Sequence, residues 1–152
     1  MANSNRKRII DNVVSTIAAI TTVGGYNFSI GQCLRGFKHY NAVPEDLFPA
    51  VYAAGADENR KNSAQRTFSS DLLISVVGYV KTADASNTAA LEQDVDNLIE
   101  DITKALMVDV TRGGYAVTTE LGEINTDKGA FTPYASVEII VKCDYRAAVT
   151  AP

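Results

Sequence analysis

Histidine is nearly missing from this chain, where His39 stands alone, and tryptophan is missing altogether. A lone histidine in "RGFKHYNAVP", with no serine or cysteine motif beside it, reads as a solvated or turn-stabilising side chain rather than a general base. Cysteine is scarce too: Cys33 and Cys143 lie far apart, make no C-x-x-C or metal spacing, and read as small buried hydrophobes. The serine-hydrolase elbow, the H-E-x-x-H pair, the Walker loop and the G-x-G-x-x-G turn are all absent, and "VGGY" and "RGGY" are glycine pairs at turns. With these gaps, no enzyme, cofactor or metal is expected. Basic charge is also short. A net charge of −4 and a pI near 4.9 exclude a protein whose main work is to grip phosphates with a basic face. No run approaches the roughly 20 apolar residues of a membrane span.

What is present suffices for one core. The chain has 152 residues, 46% hydrophobic and 21% charged, which suits a single domain over residues 1–152. Near the N-terminus a basic run precedes apolar residues, as in a secretory leader, but Asp11 and Asn12 interrupt it. Ile9, Ile10, Val13, Val14, Ile17 and Ile20 instead follow helical spacing, and an amphipathic helix of a cytoplasmic protein is expected. "FSIGQCLRGF" suggests a strand weakened by Gly31 and Gly36. Pro44 and Pro49 bracket a turn, and residues 50–54 suggest a short strand. Residues 56–66, "ADENRKNSAQR", show no apolar periodicity and crowd Asp57, Glu58, Arg60 and Lys61 together, so a solvated, mobile loop is expected there.

"TFSSDLLISVVGYVKT" alternates Leu72, Ile74, Val76 and Val80 with Leu73, Val77 and Tyr79, the pattern of a central strand or of one covered by a second subunit. A second helix is expected over 88–107, with Leu91, Val95, Leu98, Ile99, Ile102 and Leu106 inward and Glu92, Asp94, Asp96, Glu100 and Asp101 outward. That acidic face reads as solvated rather than as a metal site, because no histidine joins it. "AVTTELGEI" and "SVEIIVKCDYRA" read as strands of a hairpin joined by "NTDKG", with Gly129 at its end. In the closing strand Val137, Ile139, Val141 and Cys143 share one face and Ile140 sits on the other. The expectation is an α+β fold, a mixed or antiparallel β-sheet with two helices packed on one face. The twelve Tyr and Phe side chains are scattered and build no base-stacking platform.

The order of these segments, "VPEDLFPAVYAAGADE", "LLISVVGYVK", "LEQDVDNLIEDITKAL" and "TDKGAFTPYASVEIIVKCDYR", resembles the tail terminator, or tail-completion, proteins of long-tailed bacteriophages. The closing run carries the resemblance most clearly, through Thr126, Asp127, Gly129, Pro133, Ala135, Val137, Ile139, Val141, Tyr145 and Arg146. The likeness extends from about Arg6 to Arg146.

The resemblance implies a structural virion protein, assembled in the bacterial cytoplasm and placed at the neck of the tail. It implies a homo-oligomeric, hexameric ring that caps the tail tube, ends its polymerisation and presents a surface to the head-side connector or stopper. Genome DNA would pass the channel without specific binding. In such a ring, residues apolar beyond a monomer's need are closed by a neighbour, and Val77, Tyr79, Ile140 and Tyr145 are expected at the subunit interface. Arg60, Lys61 and Arg66 are expected to dock the tail tube once the 56–66 loop orders. The neighbouring alternative is a head–tail connector or stopper ring. Two remoter ones are a host structural module and a small hydrolase or transferase assembled from Asp, Tyr and Arg, in which a shifted carboxylate would converge with Arg35 or Arg112.

Overall fold

Ser4 opens the first helix, α1 (Asn5–Ala18), by accepting the Lys7 amide on its hydroxyl, which satisfies one of the orphan donors of the first turn. Ile9, Ile10, Val13 and Ile17 form its buried stripe. The second helix, α2 (Thr88–Val108), is capped by the Asn87 side chain on the Ala90 amide, and buries Leu91, Val95, Leu98, Ile102 and Leu106. A computed structural model describes residues 4–64, 66–84, 86–128 and 132–148. Among them no helix is long and apolar enough to cross a membrane.

Five strands make one sheet: β1 (Gln32–Arg35), β2 (Ala50–Ala64), β3 (Thr67–Lys81), β4 (Thr118–Thr126) and β5 (Tyr134–Ala148). Their order is β1-β2-β3-β5-β4, with β1 parallel to β2 and every other pair antiparallel, so the sheet is mixed and the fold α+β. Helix α1 packs over β1 and β2, and α2 over β3 and β5. The helix-side core joins Leu72, Ile74, Val76 and Val80 to Val137, Ile139, Val141 and Cys143, the two alternating sets expected from the strand patterns. Gly78 lies where α2 comes closest. A Cβ there would meet Leu98 Cδ2 at 2.7 Å.

A second, smaller core lies on the opposite face. Residues 37–49 form a strap with two short 3-10 turns, Tyr40–Ala42 and Glu45–Leu47, and it closes over Ala50, Tyr52 and Tyr79 with Val43. Among the described residues no helix lies above the rest of that face.

Two expectations are corrected. Residues 56–66 are not a loop, because β2 continues to Ala64 and pairs with β3 across the expected gap, with register shifts between Gly55 and Glu58 and between Asn62 and Ala64. The hairpin forms on a template: β3 is paired along its whole length with β5, so backbone bonds can hold a polar segment that shows no apolar alternation. Gln65 and Gly129 lie outside the described residues. The second correction is Asp101, placed above on the wet face of α2. It is buried, and its two carboxylate oxygens accept the Asn27 and Phe28 amides, both at 2.9 Å. A carboxylate that pins a passing backbone in this way has no signature in helical periodicity.

Candidate functional site

The groups that nucleophilic or acid–base chemistry would use are turned to structural ends. His39 caps the Tyr40–Ala42 turn, with Nδ1 2.9 Å from the Asn41 side-chain oxygen. Burial pushes the Cys33 thiol up to about 12 and raises that of Cys143, which leaves neither as a ready nucleophile. Arg35 bridges to Asp11 at 3.2 Å on the surface. Arg112 is fully buried instead, and its guanidinium donates to the Leu106 and Asp109 carbonyls, closing the C-terminal end of α2. A cavity of about 390 Å³, lined by neither arginine, lies between Leu91, Glu92 and Val95 of α2 and Thr126 and Ala135 of the β4–β5 hairpin. Among the described residues no group of three His, Cys, Asp or Glu side chains could hold a metal ion.

The site to consider is therefore surface. The far halves of β2 and β3 with the end of β5 form an arm. At its root Glu58, 10% exposed, accepts from Arg6 Nη1 at 3.0 Å, from the Tyr145 hydroxyl at 3.0 Å and from Arg60 Nε. Burial by itself would raise the Glu58 carboxyl, but the hydrogen bonds from Arg60, Arg6 and Tyr145 outweigh it and hold the group below its usual range. Of the three cations expected to dock a partner, Arg60 lies 4.5 Å over the Phe68 ring and is tied to Glu58. Lys61 pairs across the ladder with Ser69 and is exposed. Arg66 is exposed at the hairpin turn, in the left-handed region at φ 57°. All three lie on the β2–β3 hairpin and not on a loop, but they do not form one cluster: Arg60 and Lys61 face opposite sides of the sheet, and Arg60 is held back at Glu58 while Arg66 stands at the turn.

The four residues expected at a subunit interface are not brought together. Tyr145 points to the helix side and is buried against Phe68 and Glu58 of its own chain. Tyr79 is buried under the strap and donates its hydroxyl to the Lys38 carbonyl at 2.7 Å. Both are closed within one chain, because β-strand alternation puts residue 145 opposite residue 140 in facing, and because the strap adds a cover that periodicity does not reveal. Val77 packs half-buried against the strap core, and Ile140 is half-buried on the face that carries no helix.

On that face Asp71 and Asp144 stand directly opposite each other on β3 and β5, with Lys142 3.8 Å from Asp71 and 4.0 Å from Asp144. The hydrogen bond that Asp144 donates to Asp71, then burial, then the Asp71 charge raise the Asp144 carboxyl to about 6, while the same bond lowers Asp71. The pair therefore shares one proton below about pH 6 and loses it as the pH rises to neutrality. A carboxyl raised in the fold contributes stability that is complete below its unfolded value of about 3.8 and is lost as the pH rises through about 6. Asp144→Asn keeps a donor toward Asp71 without the charge. It should stabilise the protein by about 1 kcal/mol at pH 8, after allowance for solvent screening, and by nothing measurable at pH 3.5. Thermal melts at the two pH values test this, and an equal shift at both would contradict the shared proton.

Exposed apolar side chains gather in two places. Val108, Val110, Tyr115 and Val117 surround the turn from α2 into β4, while Leu34 and Phe37 stand at β1 and just beyond it; Ile124 stands apart from both on β4, at the opposite edge of the sheet from β1. No protein-family model matches the chain, and no curated protein matches it.

Proposed function

We propose that the protein is a ring-forming subunit at the neck of a long-tailed bacteriophage, which caps the tail tube, ends its polymerisation and offers its other side to the head-side connector. The observation that carries this reading is the pairing of a mixed sheet, open on part of one face and at both edges, with a long β arm tipped by cations. Such a subunit is built to be completed by neighbours rather than to enclose a substrate. The order of segments and the closing run from Thr126 to Arg146 support the family, and a net charge of −4 suits a channel through which DNA slides. Negative-stain electron microscopy of particles assembled without the protein should show overlong tubes and unattached heads. Tails of normal length that fail to join heads would move it to the stopper position, and normal virions would sink the reading.

In this reading the tip of the arm, and not a loop that orders, meets the tube. Deleting residues 59–64 would now remove part of a paired strand, so charge reversal is the cleaner probe. Lys61→Glu with Arg66→Glu should weaken co-sedimentation with purified tail tubes by roughly tenfold or more, the effect of losing two charged contacts, with an unchanged melting temperature. Retained binding would remove the arm tip from the tube contact.

A further inference from the structure

Several surface cations are already answered within the chain, Arg35 by Asp11, Arg60 by Glu58 and Lys142 by Asp71. Two on the open face of the arm are not. There Ser69 of β3 stands directly opposite Lys61 of β2 on one side and Arg146 of β5 on the other, so the three form one row across the strands. Alternation fixes the facing: Leu72 and Tyr145 point to the helices, which puts Ser69, Lys61 and Arg146 on the other side. Both cations are exposed, and neither makes an ion pair with a described residue.

An acidic stripe of matching size lies on the outer face of α2. Glu92, Asp96 and Glu100 are exposed at four-residue spacing, so they stand one turn above another, and none of the three makes an ion pair with a described residue. Two steps between strands set Lys61 about 10 Å from Arg146 along the backbone row. Eight residues of helix set Glu92 about 12 Å from Glu100. The row reads cation, hydroxyl, cation; the stripe reads three carboxylates, with Asp96 midway at the level of the Ser69 donor. Within one chain the two surfaces cannot meet, because α2 packs on the helix side of β3 and β5 and the row lies on the far side.

We infer that the arm of one copy lies with its open face across α2 of the next, Lys61, Ser69 and Arg146 against Glu92, Asp96 and Glu100. The occupant is a second copy because both halves of the charge match belong to this chain. The contact joins two different patches, so it is head-to-tail and passes from copy to copy. Asp71 and Asp144, one row inward on the same face, would repel a broader overlap with the acidic stripe and confine the contact to the outer end of the arm. This deepens the ring reading above and rests on it for closure, while the contact between copies is argued from the two surfaces alone. The face of the arm is engaged and the turn with Arg66 stays clear for the tube, so Lys61 acts on tube capping through the ring as well as at the tip.

Cross-linking between copies tests this without a tube. Ser69→Cys with Asp96→Cys in one chain places two thiols on opposite sides of the sheet, where they cannot join within the chain, and the native Cys33 and Cys143 are buried. Under mild oxidation at low salt and about 100 µM, where a micromolar contact is filled, the double variant should give a ladder of dimers, trimers and longer species. Each single variant should give a dimer at most. Surface ion pairs are screened by salt, so the ladder should fade by about 0.5 M. Adding Lys61→Glu with Arg146→Glu should cut its yield roughly tenfold or more, and adding Glu92→Lys with Glu100→Lys to that chain should restore it. A melting curve checks each variant; if the arm reversal fails to fold, the α2 reversal alone, on a solvated helix face, replaces it with the same expected loss. No ladder from the double-cysteine chain, or a ladder indifferent to salt and to charge reversal, overturns the inference. Rings seen in micrographs of the wild type would then leave the ring reading standing without this contact. A charge-dependent ladder from a protein whose absence leaves virions normal would keep the contact and remove the neck reading.

Discussion

Glu58→Ala should lower the melting temperature by roughly 6 °C at pH 7, the shift expected for a loss of about 2 kcal/mol in a domain of this size. One carboxylate here serves three donors. Its removal leaves the Tyr145 hydroxyl, on a residue 2% exposed, without the acceptor it uses at 3.0 Å, and sets Arg6 and Arg60 side by side without a counter-charge. Both arginines keep access to solvent, so the cost stays well short of that of breaking a fully buried ion pair. The pH dependence gives a sharper reading. Glu58 is lowered in the fold, so its contribution is present above the usual carboxyl value of 4.5 and is lost as the pH falls through the lower folded value. The gap between wild type and Glu58→Gln should therefore narrow progressively in melts taken at pH values falling below 4.5. A gap that does not narrow at all over that acid range would show that packing, and not charge, holds the root of the arm.

Gly31→Ala is expected to be the most damaging of the small substitutions, at about 3 kcal/mol and roughly 9 °C. The Gly31 amide donates to the Pro49 carbonyl at 2.8 Å, and a Cβ on residue 31 would stand 2.8 Å from Leu47 Cα and closer still to its carbonyl. Those obstacles are backbone atoms, which cannot swing aside as a side chain can. The strap must shift, and with it the cover over Tyr52 and Tyr79, whose hydroxyls reach Gln32 and the Lys38 carbonyl, each at 2.7 Å. With no tryptophan in the chain, tyrosine emission reports directly on that uncovering. An unchanged melting curve together with unchanged tyrosine emission would mean that the strap tolerates displacement.

Much of this architecture was legible before any coordinates. The stripe from Ile9 to Ile17 and that from Leu91 to Leu106 are long enough for helical period to dominate, and β3 and β5 alternate cleanly because each has one face under the helices. The second half of β2 was not legible, since its pairing rests on backbone hydrogen bonds that β3 makes available, whatever the side chains. The candidate surfaces fared unevenly for the same reason. Arg60, Lys61 and Arg66 are neighbours in sequence and stay on one hairpin, though Arg60 turns back to Glu58, whereas Tyr79 and Tyr145 looked free only because their covers, the strap over one and the Glu58 cluster over the other, come from distant parts of the chain.

By itself, then, the order of residues determined the class of fold, the two helices and the inward faces of the long strands, all of which follow from local period. Tertiary structure alone decided the strand order β1-β2-β3-β5-β4, the extension of β2, and the burial of Asp101, Tyr79 and Tyr145. The physical reason is one of range. Side-chain alternation is written along the chain within a few residues, but which strand lies beside which, and what closes over a given face, depends on contacts between segments far apart in sequence, where several arrangements satisfy the same local pattern and the packed whole selects among them.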